Sequence, residues 1–149
     1  MIFHGLIDKV LSYLRVMART KTQTWRPAKK GDTQMIGPPS GGVTAVYRRD
    51  KHGNLRKLWQ VGQTYAVQPG RGQTGVARIR LMSIRRCKAS KLTEGDLIRE
   101  GFIEELVDGR TRMQRLMAVL EKFYGGDAPD MPGWSLGFEV VKGRSTPDV

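Results

Sequence analysis

Cysteine is nearly absent: Cys87 stands alone in 149 residues. One thiol excludes an internal disulfide framework and fits a reducing compartment. Histidine is almost as scarce, and neither His4 nor His52 belongs to a Cys/His cluster at ligand spacing, so neither a metal nor a cofactor is expected. Long apolar runs are missing too. No stretch of 18 apolar residues occurs, which excludes a conventional membrane-spanning helix. Asp8 and Lys9 interrupt the apolar N-terminus where a signal peptide would be continuous. A cytoplasmic location without a membrane partner is the expectation. Acids are missing from one long region: from Lys51 to Lys91 there are ten cations and no carboxylate.

What is abundant is positive charge. The net charge is +12, and residues 1–93 hold 19 Lys/Arg against only Asp8, Asp32 and Asp50. A field polarised in this way attracts polyanions, with nucleic acid the commonest partner. The length suits a single domain over residues 1–149 with a core of its own.

Apolar residues Phe3, Ile7, Val10, Leu14 and Met17 recur at three- and four-residue spacings and predict an amphipathic helix over roughly 5–18. Trp25-Arg26-Pro27 ends a first strand, since proline has no amide hydrogen for a ladder. Residues 28–42, rich in Lys, Gly, Pro and Ser, read as a loop. Val43 to Tyr47 and Leu55 to Val61 read as a hairpin about Asp50-Lys-His-Gly-Asn54, made basic by Arg48 and Arg49. A strand from Thr64 to Gln68 leads into Pro69-Gly-Arg-Gly-Gln-Thr-Gly75, where Arg71 is placed to meet a phosphate. In Val76 to Ile84, Ala77, Ile79 and Leu81 alternate with Arg78 and Arg80, one face for the core and one for solvent. Thr93 with Asp96, and Thr111 with Gln114, mark the starts of two helices, and Gly101 marks the end of the first. Trp134, Leu136, Phe138 and Val140 alternate in a last strand, and 142–149 reads as a polar tail.

The stretch Arg19-Thr20-Lys21-Thr22-Gln23-Thr24-Trp25-Arg26 places an amine, a hydroxyl and a guanidinium within six residues. With the helix before it, Val61-Gly-Gln-Thr-Tyr-Ala-Val67, the Leu92 to Phe102 segment and the final strand, this order resembles the ASCH family. The family pattern usually has a glycine close before the box lysine, where this chain has Ala18-Arg19-Thr20. Residues 28–58 look like an insertion relative to its smallest members. The resemblance implies an α+β fold, a small PUA-like β-barrel of mixed or antiparallel strands with flanking helices. It also points to the bacterial members that remove the acetyl group from N4-acetylcytidine. Carried over by pattern, the catalytic set is Lys21, Thr24 and Glu100.

The chemistry has its own logic. A threonine hydroxyl attacks an amide only with a base in reach, and burial with the like charges of Arg19 and Arg26 on either side would lower the pKa of Lys21 towards that task. Glu100, at a helix C-terminus, is suited to proton donation. In a regular strand Lys21 and Thr24 would point to opposite faces, so the chain must bend between them. The expected substrate is a nucleoside or RNA, with Arg26, Arg48, Arg49, Arg71, Arg78 and Arg80 as binding residues. Two other readings are an RNA-binding PUA-like module without catalysis and a ribonuclease in which Lys21 steadies a scissile phosphate.

Overall fold

The computed structural model describes residues 1–3, 5–37 and 42–143. His4 lies outside the described residues, as does the part of the expected tail from 144 onward. The elements in chain order are β1 (Leu6–Ile7), β2 (Val10–Leu11), α1 (Ser12–Met17), β3 (Gln23–Pro27), β4 (Asp32–Ile36), β5 (Val43–Arg49), β6 (Leu55–Gln60) and β7 (Thr64–Val67). They continue with β8 (Ala77–Arg86), α2 (Glu94–Arg99), β9 (Leu106–Val107), β10 (Arg110–Thr111), α3 (Arg112–Tyr124) and β11 (Gly133–Gly143).

The architecture is α+β: a mostly antiparallel sheet with three helices. Its main path runs β3-β11-β8-β5-β4, with β6 paired to β5 and β7 to β8. The expected barrel does not close, because no ladder joins edge strands β3 and β4 among the described residues. Pro27 ends β3 without an amide hydrogen, and the Ala28 amide turns to Pro132 instead (2.8 Å). The sheet curls far enough for Asp32 on β4 to accept from the Trp134 indole on β11 (3.1 Å).

The long strands β8 and β11 organise the core. Ala77, Ile79, Leu81 and Ile84 turn inward from β8, and Trp134, Leu136 and Phe138 from β11. Removing a side chain such as Leu81 or Leu136 from water contributes roughly 2 kcal/mol. Arg78 and Arg80 point the other way, as their alternation predicts. A second core lies under the helices, where Trp25, Leu97, Phe102, Leu116 and Leu120 meet.

Three sequence readings are corrected. The N-terminal helix begins at Ser12, not near residue 5, because Leu6–Leu11 forms a hairpin about Asp8 and Lys9, both at positive φ. Its cross-strand pairs Leu6–Leu11 and Ile7–Val10 mimic a helical stripe in one dimension. The 28–42 segment is not all loop, since 32–36 form β4 against β5. Residues 142 and 143, read as the start of a polar tail, continue β11, which runs to Gly143. The two capping boxes, Thr93/Asp96 and Thr111/Gln114, are both formed as their spacing predicts.

Candidate active site

Two helix ends build the site. After α1, the Arg19 amide donates to Val16 O (3.0 Å) and the Thr20 amide to Arg15 O (2.9 Å). This is a Schellman closure with Arg19 at φ +62 in the place glycine favours. After α2, the Gly101 amide donates to Ile98 O (3.0 Å) and the Phe102 amide to Leu97 O (3.1 Å), with Gly101 at φ +111. A Cβ on Gly101 would crowd only the tip of Ile7 (Cδ1, 3.2 Å) and meet Lys21 Cβ at ordinary contact distance (3.5 Å), so it is the positive φ that favours glycine where the two ends meet. The Thr22 amide joins them by donating to Arg99 O (2.8 Å).

Lys21 therefore precedes β3 and escapes its alternation, and it reaches the same cavity as Thr24. The cavity is about 70 Å³, and Lys21, Thr24 and Glu100 all line it. All three are buried. The Lys21 ammonium donates to the Glu100 backbone carbonyl (2.8 Å) and lies 3.7 Å from its carboxylate. The Trp25 amide donates to Glu100 Oε1 (3.0 Å), while the buried Glu100 Oε2 has no partner. Ser12, Arg26 and apolar side chains including Phe102, Leu120 and Phe123 complete the lining.

Burial pushes the Lys21 pKa down from 10.5 to about 8; Glu100 opposes the shift and Arg26 adds to it. Desolvation outweighs the ion pair, so the site disfavours the ammonium relative to water. A substantial neutral-amine fraction near physiological pH is what a general base needs.

The predicted binding arginines do not gather here. Among them Arg26 alone lines the cavity, donating to Ile2 O (2.6 Å) and covering the Phe3 ring at 5.4 Å. Arg48 is held by both oxygens of Asp32 (2.6 and 3.0 Å), and Arg49 closes its hairpin on Gly53 O (2.9 Å). Arg78 donates to Thr64 Oγ1 (3.0 Å), Arg80 faces Glu139 (3.3 Å), and Arg71 is exposed in its loop. Sequence reasoning missed the cavity wall contributed by Leu6, Ile7 and Ser12. The signal was the Asp-Lys turn, masked by the helical spacing around it.

Two solved structures share this arrangement of elements. An ASCH domain from Lactobacillus crispatus JV V101 is 15% identical with a TM-score of 0.57, over 87% of this chain and 70% of that one. The chain has an ASCH-like fold. A DUF984 protein from Enterococcus faecalis V583 is 17% identical with a TM-score of 0.55, over 99% of this chain and 84% of that one. At these identities the ASCH-like likeness is one of fold. No family model and no curated protein matches the chain. Among the described residues no helix is long and apolar enough to cross a membrane.

Proposed function

We propose that this ASCH-like protein is an amidohydrolase that removes the acetyl group from acetylated cytidine, as the nucleoside or within RNA. The observation that carries this reading is the shared cavity, in which a lysine with a depressed pKa, a threonine and a glutamate with a spare acceptor converge. Neutral Lys21 takes the hydroxyl proton of Thr24, and Thr24 Oγ1 attacks the acetyl carbonyl carbon. The carbon–nitrogen bond breaks as the leaving nitrogen receives a proton from the Lys21 ammonium through Glu100. Water, deprotonated by Lys21, then hydrolyses the acetyl-threonine ester to acetate and free Thr24. The apolar lining excludes other water and strengthens each of these polar interactions. The test is acetate release from N4-acetylcytidine by the purified protein: turnover is expected, and its absence at any substrate concentration overturns the reading.

A second reading is a PUA-like module that holds RNA on its surface, and the +12 charge favours it. In that case log affinity falls with log salt by about 0.7 per phosphate contacted on a single strand. RNA binding that persists in a protein releasing no acetate would replace the enzyme with the module.

A further inference from the structure

Among the described residues, three buried side-chain atoms have no hydrogen-bond partner: Gln23 Nε2, Arg26 Nε and Glu100 Oε2. A buried polar group left unpaired is a standing cost of folding, and each one calls for an explanation. Arg26 and Glu100 both line the cavity, whereas Gln23 is absent from its lining. The two atoms have opposite hydrogen-bond character. Arg26 Nε is a donor and Glu100 Oε2 an acceptor, yet they do not bond to each other. The rest of each side chain is fixed. The Arg26 guanidinium is held by Ile2 O and the Phe3 ring, and Glu100 Oε1 takes the Trp25 amide. That last bond occupies the amide directly after Thr24, which a nucleophile's own loop would otherwise offer to an oxyanion.

We propose that Arg26 Nε and Glu100 Oε2 form a clamp for a secondary amide. Arg26 receives the carbonyl oxygen and Glu100 accepts the amide N–H. This deepens the amidohydrolase reading and rests on it, and it adds Arg26 as a catalytic residue. When Thr24 attacks, the carbonyl oxygen becomes an oxyanion, and a cationic donor fixed in place stabilises that charge more than the ground-state carbonyl. Glu100 accepts the N–H as a carboxylate. As the bond breaks it takes from the Lys21 ammonium the proton that came from Thr24, passes it to the nitrogen lone pair and returns to the carboxylate form. Both atoms are buried, so an entering amide must displace a wall of the small cavity, and the short β1–β2 hairpin forms one such wall. The clamp also sets specificity. A tertiary amide offers no N–H and would leave the Glu100 acceptor unpaired, a defect that costs discrimination factors well beyond those of a missing methylene.

The experiment compares N4-acetylcytidine with N4-acetyl-N4-methylcytidine on the wild-type protein, and the wild type with Arg26→Gln and Arg26→Lys on the first substrate. Circular dichroism confirms that each variant is folded. The clamp predicts that the methylated amide loses at least about 100-fold in kcat/KM. It predicts that Arg26→Gln lowers kcat by about 10²–10³-fold with KM little changed, as when one oxyanion donor is removed. Arg26→Lys keeps the charge but not the Nε–H fork, and recovers only a small part of the loss. Equal cleavage of both substrates, or folded Arg26→Gln with kcat within threefold of wild type, overturns the clamp and leaves the amidohydrolase reading standing. A wild-type protein that cleaves neither substrate overturns both.

Discussion

Asp32 and Glu100 are both carboxylates buried against a cation, and the protein supplies them with partners in opposite ways. Asp32 receives Arg48 through both oxygens (2.6 and 3.0 Å), the Lys29 amide (3.0 Å) and the Trp134 indole (3.1 Å). Burial alone would push its pKa up, but these hydrogen bonds outweigh burial and hold it below the ordinary value. Glu100 receives the Trp25 amide on one oxygen and nothing on the other, and its cation sits 3.7 Å away. There burial governs the partner, and Lys21 shifts to about 8. A fully bonded ion pair pins two parts of a sheet together. A pair with a spare acceptor and a readily released proton is suited to chemistry.

Four substitutions and one titration sharpen that contrast, beginning with the largest effect. Thr24→Ala removes the proposed nucleophile without touching either pair, and kcat should fall by at least about 10⁴-fold. Steady-state acetate release measures it, and retained turnover would assign the attack to water. Glu100→Gln keeps the shape and the Trp25 contact while removing the ionisable oxygen. A loss of about 10²–10⁴-fold in kcat with an unchanged denaturant midpoint is expected. If the midpoint falls instead, Glu100 is a structural anchor like Asp32. Asp32→Ala should behave in the reverse sense, costing about 3 kcal/mol in denaturant unfolding while kcat holds.

The Asp32 pair also has a pH signature. Because its folded pKa lies below the ordinary aspartate value of 3.8, its contribution is present above that value and is lost as pH falls below it. Acid unfolding monitored by fluorescence should therefore begin at higher pH in Asp32→Ala. An identical acid limb in the two proteins would contradict the assignment.

The smallest effect is at the helix end that delivers Lys21. Arg19 occupies the left-handed region at φ +62, which costs a side-chain-bearing residue about 1 kcal/mol or more. Glycine relieves that strain but gains freedom in the unfolded chain, so Arg19→Gly should stabilise by only about 0.5 kcal/mol. A loss of stability would mean that the Arg19 side chain contributes more than its backbone costs.

The sequence revealed these regions unequally. Both capping boxes and the alternation in β8 and β11 were readable, because caps and sheet faces are set by neighbours two to four residues apart. Lys21, Thr24 and Glu100 are marked by the family resemblance of the Lys21 to Arg26 stretch and the Leu92 to Phe102 segment, and the structure brings them to one cavity. Three things were not legible. The β1–β2 hairpin hid behind helical spacing, β4 behind a composition rich in loop residues, and the open sheet behind an expectation of closure. The fate of the arginines was hidden as well. Arg48 and Arg80 face carboxylates 16 and 59 residues away, pairings that no local pattern encodes.

The central claim is that Lys21 acts as the base of an amide-cleaving site. It is tested most directly by the pH dependence of kcat/KM for N4-acetylcytidine, from about pH 6 to about pH 10, in the wild type and in Lys21→Arg. As pH rises through the Lys21 pKa the neutral amine accumulates, so the wild-type rate should climb along a limb centred near 8. Arginine keeps the positive charge but stays protonated throughout. The variant should lose that limb together with about 10²–10⁴-fold in rate. A wild-type profile with no such limb, or a Lys21→Arg profile that retains it at full rate, would contradict the account.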